Sequence, residues 1–186
     1  MKRLFDILFG LALALPAGIL VLVCAALVRL QSPGPGIFRQ TRVGRHGAPF
    51  TCLKLRTMFI DTHNAPSHET AKTAVTPLGA MLRHYKLDEL PQVWNVITGD
   101  MSFVGPRPCL PSQSELIEAR RRRGVLALRP GITGPAQVKG IDMSEPERLA
   151  DEDAKYLVKP GLAEDIRLML ATVLGSGRGD RTRDAA

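Results

Sequence analysis

A chain of 186 residues with 45% hydrophobic residues can bury one core, or one core with an appendage. Its net charge of +7 is uneven, since residues 1–60 hold eight Lys/Arg against the single acid Asp6 while the rest balances at 17 against 17. Aromatic residues make up only 5% and the basic excess adjoins an apolar run, which argues against nucleic acid and for a membrane surface or a phosphorylated substrate.

From residue 7 to residue 28 nothing is charged, and Leu, Ala, Val and Ile dominate. A helix of that length reaches across a bilayer core. A cleaved secretory signal is disfavoured, because Asp6 interrupts the basic start and the run exceeds an ordinary signal core. Lys2 and Arg3 precede the run and Arg29, Arg39, Arg42 and Arg45 follow it, which keeps both flanks cytoplasmic. Pro16 lies inside and removes a helical hydrogen bond. Both facts fit a re-entrant helix-hairpin over residues 1–30 that dips into the cytoplasmic leaflet and returns. A kinked span is the alternative.

Gln31-Ser-Pro-Gly-Pro-Gly36 breaks the helix. Residues 37–42 and 50–58 then read as a β-hairpin about Gly44-Arg-His-Gly47. Lys54 and Arg56 alternate with Leu53 and Leu55, so their ends are expected on one face. Residues 61–76 are polar and punctuated by Pro66 and Pro77, a surface loop. Leu78, Met81, Leu82 and Tyr85 mark a helical stripe that carries Arg83, five residues before Asp88.

The stretch 87–108 is the densest in chemistry. It opens with the adjacent carboxylates Asp88 and Glu89, continues through Leu90, Val93, Trp94 and Ile97, and closes with Pro106-Arg107-Pro108. Capping preferences place Asp88 at a helix N-cap and Glu89 at the first helical residue, with Pro91 tolerated in the first turn and Gly99 as terminator. The pair would then face free N–H groups and the positive end of the dipole, a natural phosphate site. Two neighbouring carboxylates there can divide nucleophile or metal ligand from proton carrier.

Residues 114–123 read as a helix ending in four arginines, a solvated face or a contact for lipid headgroups. Residues 129–137 form a Gly/Pro-rich loop with N–H groups to offer an anion, though no Walker or dinucleotide motif is present. Residues 147–157 and 162–174 read as helices. In the second, Leu162, Ile166, Met169, Leu170 and Val173 share a face that packs into the core or lies on a membrane interface. Residues 176–186 read as a polar, disordered tail. Cys24, Cys52 and Cys109 form neither a disulfide framework nor a zinc spacing, which suits a reducing compartment.

Seven fragments complete the pattern. They are Lys2-Arg3-Leu-Phe-Asp6, Ser32-Pro-Gly-Pro35, Phe38-Arg-Gln-Thr-Arg-Val-Gly44 and Lys54-Leu-Arg-Thr-Met58, followed by Leu87-Asp-Glu-Leu-Pro-Gln-Val-Trp-Asn95, Gly99-Asp-Met-Ser-Phe-Val-Gly-Pro-Arg-Pro108 and Arg129-Pro-Gly-Ile-Thr-Gly134. Each is weak alone, and seven in order are specific. The chain resembles the bacterial sugar transferases, the monotopic polyprenyl-phosphate phosphoglycosyl transferases, across residues 2–174.

The resemblance implies transfer of a sugar 1-phosphate from a UDP-sugar to undecaprenyl phosphate, with release of UMP, as the first membrane step of glycan, exopolysaccharide or lipopolysaccharide assembly. It implies Asp88 as the nucleophile that forms a covalent phosphosugar, with Glu89 in proton handling or acceptor positioning. It implies Mg²⁺ at Asp88, and Lys54 and Arg83 as further catalytic residues. Arg107 and Arg129 are implied at the nucleotide phosphates. The location implied is the bacterial cytoplasmic membrane, with the catalytic domain facing the cytoplasm.

Two positions depart from the family pattern. Ile19 stands where a Ser-Pro break is common, with Pro16 about one turn earlier, and Leu55 replaces an aromatic. The multi-span amino-terminal region of larger relatives is not in this sequence, so a minimal catalytic unit is expected.

The expected fold is α+β, predominantly helical with a small β-hairpin. It divides into a re-entrant helix at 1–30, a catalytic domain at 31–175 and a tail at 176–186. A non-enzymatic, membrane-anchored basic scaffold for lipid or protein partners is the alternative. The sugar, expected to be read by loops such as 61–76 or 140–147, is not legible, and homo-oligomerisation is left open.

Overall fold

A computed structural model describes residues 1–60, 74–158 and 160–175. The apolar run forms the body of helix α1, Lys2–Gln31, and helical structure continues through Pro16. The segment is thus one continuous helix with Pro16 inside it. Its faces differ. Asp6, Gly10, Cys24 and Val28 are buried, and Leu13 and Ala17 pack beside the core between them, the spacing of a single helix face. The opposite stripe, including Leu4, Leu8, Leu11, Leu15, Ile19 and Leu22, is exposed. Both halves of α1 rest on the same globular body: Phe9 meets the Phe103 ring edge-on at 4.9 Å, while Cys24 and Val28 pack with Leu55 and Leu82.

Polar contacts fasten both ends. Asp6 is 2% exposed and accepts from Ser102 Oγ at 3.1 Å and from the Phe103 N–H at 3.2 Å. Arg3 donates to the Val96 and Ile97 carbonyls at 2.6 and 2.9 Å. These lie in the last turn of α3, Gln92–Thr98, where the dipole favours a cation. Lys2 Nζ reaches the buried Asp165 at 2.7 Å, and the Tyr156 hydroxyl donates to the same carboxylate. Burial and that carboxylate push the Tyr156 pKa far above its ordinary value, so the phenol stays protonated. At the other end Arg56 donates to Ser32 O at 2.7 Å, to Ser32 Oγ at 2.8 Å and to the Pro33 carbonyl. It caps α1 and fixes the breaker that follows.

The hairpin forms as expected. Strands β1 (Ile37–Val43) and β2 (Pro49–Leu55) are antiparallel with Val43 opposite Pro49. They are closed by a 3-10 turn in which His46 and Gly47 take φ of 58° and 80°. β2 ends at Leu55, short of the expected residue 58, and the Arg56 guanidinium lies against the end of α1. Lys54 and Arg56 therefore serve different sites.

The predicted helices appear within a residue or two. They are α2 (Pro77–His84), α4 (Ser114–Arg122), α6 (Pro146–Val158) and α7 (Leu162–Val173), with a short α5 (Pro135–Val138) between α4 and α6. Thr76 caps α2 by accepting the Gly79 N–H at 2.9 Å. In α7 Leu168 and Met169 join the core, but Leu162, Ile166, Leu170 and Val173 are exposed. Most of that stripe thus faces outward rather than into the core. The arginine run is in part the expected solvated face, with its exposed members paired to acids. Arg121 pairs with Glu118, Arg122 with Glu147, and Arg123 with Glu147 and Asp151, while Arg120 is buried. The loop expected at 61–76 lies mostly outside the described residues, and the tail at 176–186 entirely so.

A second sheet was not legible. Strands β3 (Ser102–Val104) and β4 (Gly131–Thr133) pair in parallel. A Cβ on Gly105 would sit 2.2 Å from Arg129 O, and one on Gly131 would sit 2.1 Å from Gly105 N, so this crossing needs glycine on both chains. The Gly131 N–H, one of those expected to meet an anion, bonds instead to Pro106 O at 2.9 Å.

Asp6→Ala removes the acceptor for a buried N–H and a buried hydroxyl, and should cost about 1–3 kcal/mol. Asp6→Asn, which keeps an acceptor oxygen, should cost less. Chemical denaturation of detergent-held protein measures both, and equal effects would refute the role.

Candidate active site

The carboxylates do not begin a helix. Leu87–Glu89 form a 3-10 turn entered from Lys86 in the left-handed region at φ 57°, and α3 starts only at Gln92. Pro91 explains the shift. It has no N–H to return to Leu87 O, so the Leu90 N–H takes that carbonyl at 3.2 Å, and the bonds at Val93 and Trp94 also span three residues. Gly99 ends α3 in the left-handed region at φ 102°, as expected. Asp88 is therefore not an N-cap, and α3 is seven residues long. Side chains rather than a helix dipole must supply the positive field.

Glu89 gathers them. Its Oε1 accepts from Arg107 Nη2 at 2.7 Å and from Lys54 Nζ at 3.3 Å. The three side chains are 13%, 19% and 16% exposed, enough burial for charge pairing to exceed its surface value. Asp88, next in sequence, is buried at 8% exposure. The buried Cys52 thiol registers the same cluster. Burial pushes its pKa up, with Lys54, Arg42 and Arg107 opposing and Glu89 adding. Burial lowers the Lys86 pKa, which Glu89 opposes and Arg107 reinforces.

Asn95 sets the position of Lys54. It is 3% exposed, its Oδ1 accepts the Leu53 N–H at 3.0 Å and its Nδ2 donates to Thr51 O at 2.8 Å. The amide thus fastens α3 to β2 on either side of Cys52. Sequence reasoning placed Asn95 in a motif without giving it this task.

Of the six expected site residues, the structure brings Lys54, Glu89 and Arg107 into direct contact, with Asp88 adjoining. Arg83 lies on α2, which packs against the dyad turn, and its Nε donates to Thr57 Oγ1 at 2.9 Å. Arg129 stands apart: its Nε donates to Gly99 O at 2.9 Å, at the far end of α3. Burial lowers its pKa, with Arg45 and Arg3 adding to the effect.

Among the described residues no three His, Cys, Asp or Glu converge as a metal cluster. Mg²⁺ does not require one, since a single carboxylate plus substrate phosphates is a common arrangement. Asp88, a buried carboxylate beside Lys54, Glu89 and Arg107, is a hard oxygen ligand of that kind.

Arg83 Nη1 is buried without a hydrogen-bond partner among the described residues. An orphaned buried donor is a cost that a packed core would avoid, and an anion could relieve it. Arg83→Met should leave stability within about 1 kcal/mol of the parent, or raise it, because the desolvation cost offsets the lost Thr57 bond. A denaturation midpoint well below the parent's would show a structural role instead.

Comparison with known proteins identifies the family. The sequence matches the bacterial sugar transferase family over residues 1–178. It is 38% identical over 183 residues to the UDP-glucose:undecaprenyl-phosphate glucose-1-phosphate transferase of Caulobacter vibrioides, covering 92% of this chain and 68% of that protein. It is 34% identical to the exopolysaccharide production protein ExoY of Sinorhizobium fredii, covering 92% and 83%. It is 32% identical to the galactosyl transferase CpsE of Streptococcus agalactiae, covering 95% and 43%. With a family match across nearly its whole length, the chain belongs to the bacterial sugar transferase family.

Proposed function

We propose that the protein moves a sugar 1-phosphate from a UDP-sugar to undecaprenyl phosphate and releases UMP. The observation that carries this reading is the convergence of Lys54 and Arg107 on Glu89, beside the buried carboxylate of Asp88. A carboxylate approaches a diphosphate only where its charge and the substrate's are neutralised. The relatives' names include glucose, galactose and N-acetylgalactosamine, so the donor is assigned as a UDP-sugar without choosing the sugar.

Asp88 attacks the sugar-linked phosphorus. A carboxylate–phosphorus bond forms, the bond to the bridging oxygen breaks, and UMP leaves with that electron pair. A phosphate oxygen of the polyprenyl acceptor then attacks the same phosphorus and returns the Asp88 carboxylate. Lys54, Arg83 and Arg107 balance charge through both displacements. Glu89 keeps two of these cations aimed at the site, and exchanges them for substrate oxygens as the diphosphate arrives. When bound at Asp88, Mg²⁺ supplies further neutralisation of the diphosphate.

The same reading places the site on the cytoplasmic face of the membrane. At about 1.5 Å per residue α1 is long enough to cross a bilayer, yet both its ends pack on one globular body. A monotopic path, in which α1 offers its exposed apolar stripe to one leaflet, satisfies both facts. Exposed Leu162, Ile166 and Leu170 of α7 suit the same lipid interface.

Two experiments test these statements. Protein in nanodiscs with undecaprenyl phosphate, Mg²⁺ and a panel of UDP-hexoses should release UMP with at least one donor. A chelator should abolish release, and Asp88→Asn should lower it by at least about a thousandfold. An undiminished Asp88→Asn rate would remove the nucleophile assignment, and a silent parent protein would remove the activity. In bacterial cells, single cysteines introduced at Lys2 and at Arg39 in a cysteine-free background should both resist labelling by an impermeant periplasmic thiol reagent. Labelling of one but not the other would show a span.

A further inference from the structure

Prolines on both sides of Arg107 leave the 106–108 turn with a single N–H of its own, so it is held through its carbonyls. Four consecutive carbonyls are each taken by a donor from elsewhere. Pro106 O accepts from the Gly131 N–H at 2.9 Å and Cys109 O from the Val43 N–H at 2.9 Å. Between them, Arg107 O accepts from Arg120 Nη1 at 2.8 Å and Pro108 O from Arg42 Nη1 at 3.0 Å. The two inner anchors are thus buried guanidiniums.

Arg120 is the more deeply built of the two. It is 3% exposed, and its Nε and Nη2 both donate to Asp153 Oδ2, at 3.1 and 2.7 Å. Asp153 is 1% exposed, and burial pushes its carboxyl pKa up against the pull of Arg120. A buried ion pair of this kind is weak evidence for stability, since apolar residues of similar volume often serve as well or better. What the pair supplies here is direction. Two N–H groups on Asp153 fix the guanidinium plane and leave a third aimed at one carbonyl, an arrangement lysine cannot copy. The arginine run thus splits by function, with Arg121, Arg122 and Arg123 paired at the surface and Arg120 turned inward.

We propose that Arg120 and Asp153 are positioning residues for the transfer reaction, acting through the Arg107 backbone to aim the Arg107 guanidinium at Glu89. The chain runs from Asp153 to Arg120, to Arg107 O, and from Arg107 Nη2 to Glu89 at 2.7 Å. Neither residue touches the reacting atoms. The catalytic part of the inference rests on the transfer function proposed above, and the anchoring part does not.

The test uses the full chain in nanodiscs. Arg120→Met combined with Asp153→Leu removes both charges together, so no unpaired buried ion remains. This variant should stay folded, with kcat for UMP release lowered about tenfold to a hundredfold by misplacement of Arg107. In an Arg107→Ala background the same pair should cause no further loss. Hydrogen exchange should quicken at the Val43 and Gly131 amides, whose acceptors lie in the turn, and stay unchanged in α7. Asp153→Asn, which keeps volume and an acceptor, is read by the same three measurements should the double variant not fold. An unchanged kcat, a loss that multiplies with that of Arg107→Ala, or unchanged exchange at both amides would overturn the proposal. An inactive parent protein would remove the transfer reading alone, and the exchange measurement would still decide whether Arg120 anchors the turn.

Discussion

Two like charges share one carboxylate oxygen in this protein, and much of the fold can be understood as keeping them there. Lys54 comes from β2 and Arg107 from the turn after β3, and both end on Glu89 Oε1. Neither strand is hydrogen-bonded to the other, since β2 pairs with β1 and β3 with β4. Without the carboxylate the two cations would repel, with little water nearby to screen them. Pairing at partly buried positions rewards good geometry and penalises small displacements. The two small sheets must therefore be located against the dyad turn by means other than a common ladder.

Asn95 does this for β2, by bonding the backbone on both sides of Cys52. The proline turn does it for Arg107, by giving its carbonyls to β1, β4, Arg42 and Arg120. Each device is a side chain or backbone group used where a wider sheet would ordinarily provide continuity. The pattern explains why so many buried polar groups, among them Asp6, Arg42, Asn95, Arg120 and Asp153, occur in a chain of this size. They are not surplus to the core but stand in for missing strand neighbours.

Periodicity revealed the parts of this design that depend on local pattern. The hairpin and the helices α2, α4, α6 and α7 follow alternation, stripes and caps, and all lie where those signals put them. The start of α3 did not, because Pro91 withdraws a hydrogen bond and tightens the preceding turn, an effect that capping preference alone does not weigh. Three-residue strands rich in glycine and proline carry no alternation, so β3 and β4 read as loop. Lys54 and Arg56 share a sequence motif yet separate, because the strand ends between them. Arg107 and Arg129 looked equivalent as basic residues in Gly/Pro-rich turns. Only the tertiary course of the chain sends one to Glu89 and the other to Gly99. Motif order singled out Asp88, Glu89 and Lys54, and the structure brings Lys54 to Glu89, but partnership among buried arginines is a long-range property with no local trace.

The apolar helix belongs to the same argument. Its amino half seats the segment that leads to Arg107, since Asp6 bonds Ser102 and Phe103, and Phe9 packs on the Phe103 ring. Its carboxy half seats the strand that carries Lys54, since Cys24 and Val28 pack with Leu55. The two cations that meet on Glu89 thus come from segments resting on the two halves of one helix. Gly10 shows how close the fit is, as a Cβ there would lie 3.0 Å from Ile97 Cγ1. A helix that packs along one face and is apolar along the other can rest against lipid without projecting away from the site. A contact that tilted or bent α1 would move Lys54 and Arg107 relative to each other, and the geometry at Glu89 is therefore mechanically coupled to this helix.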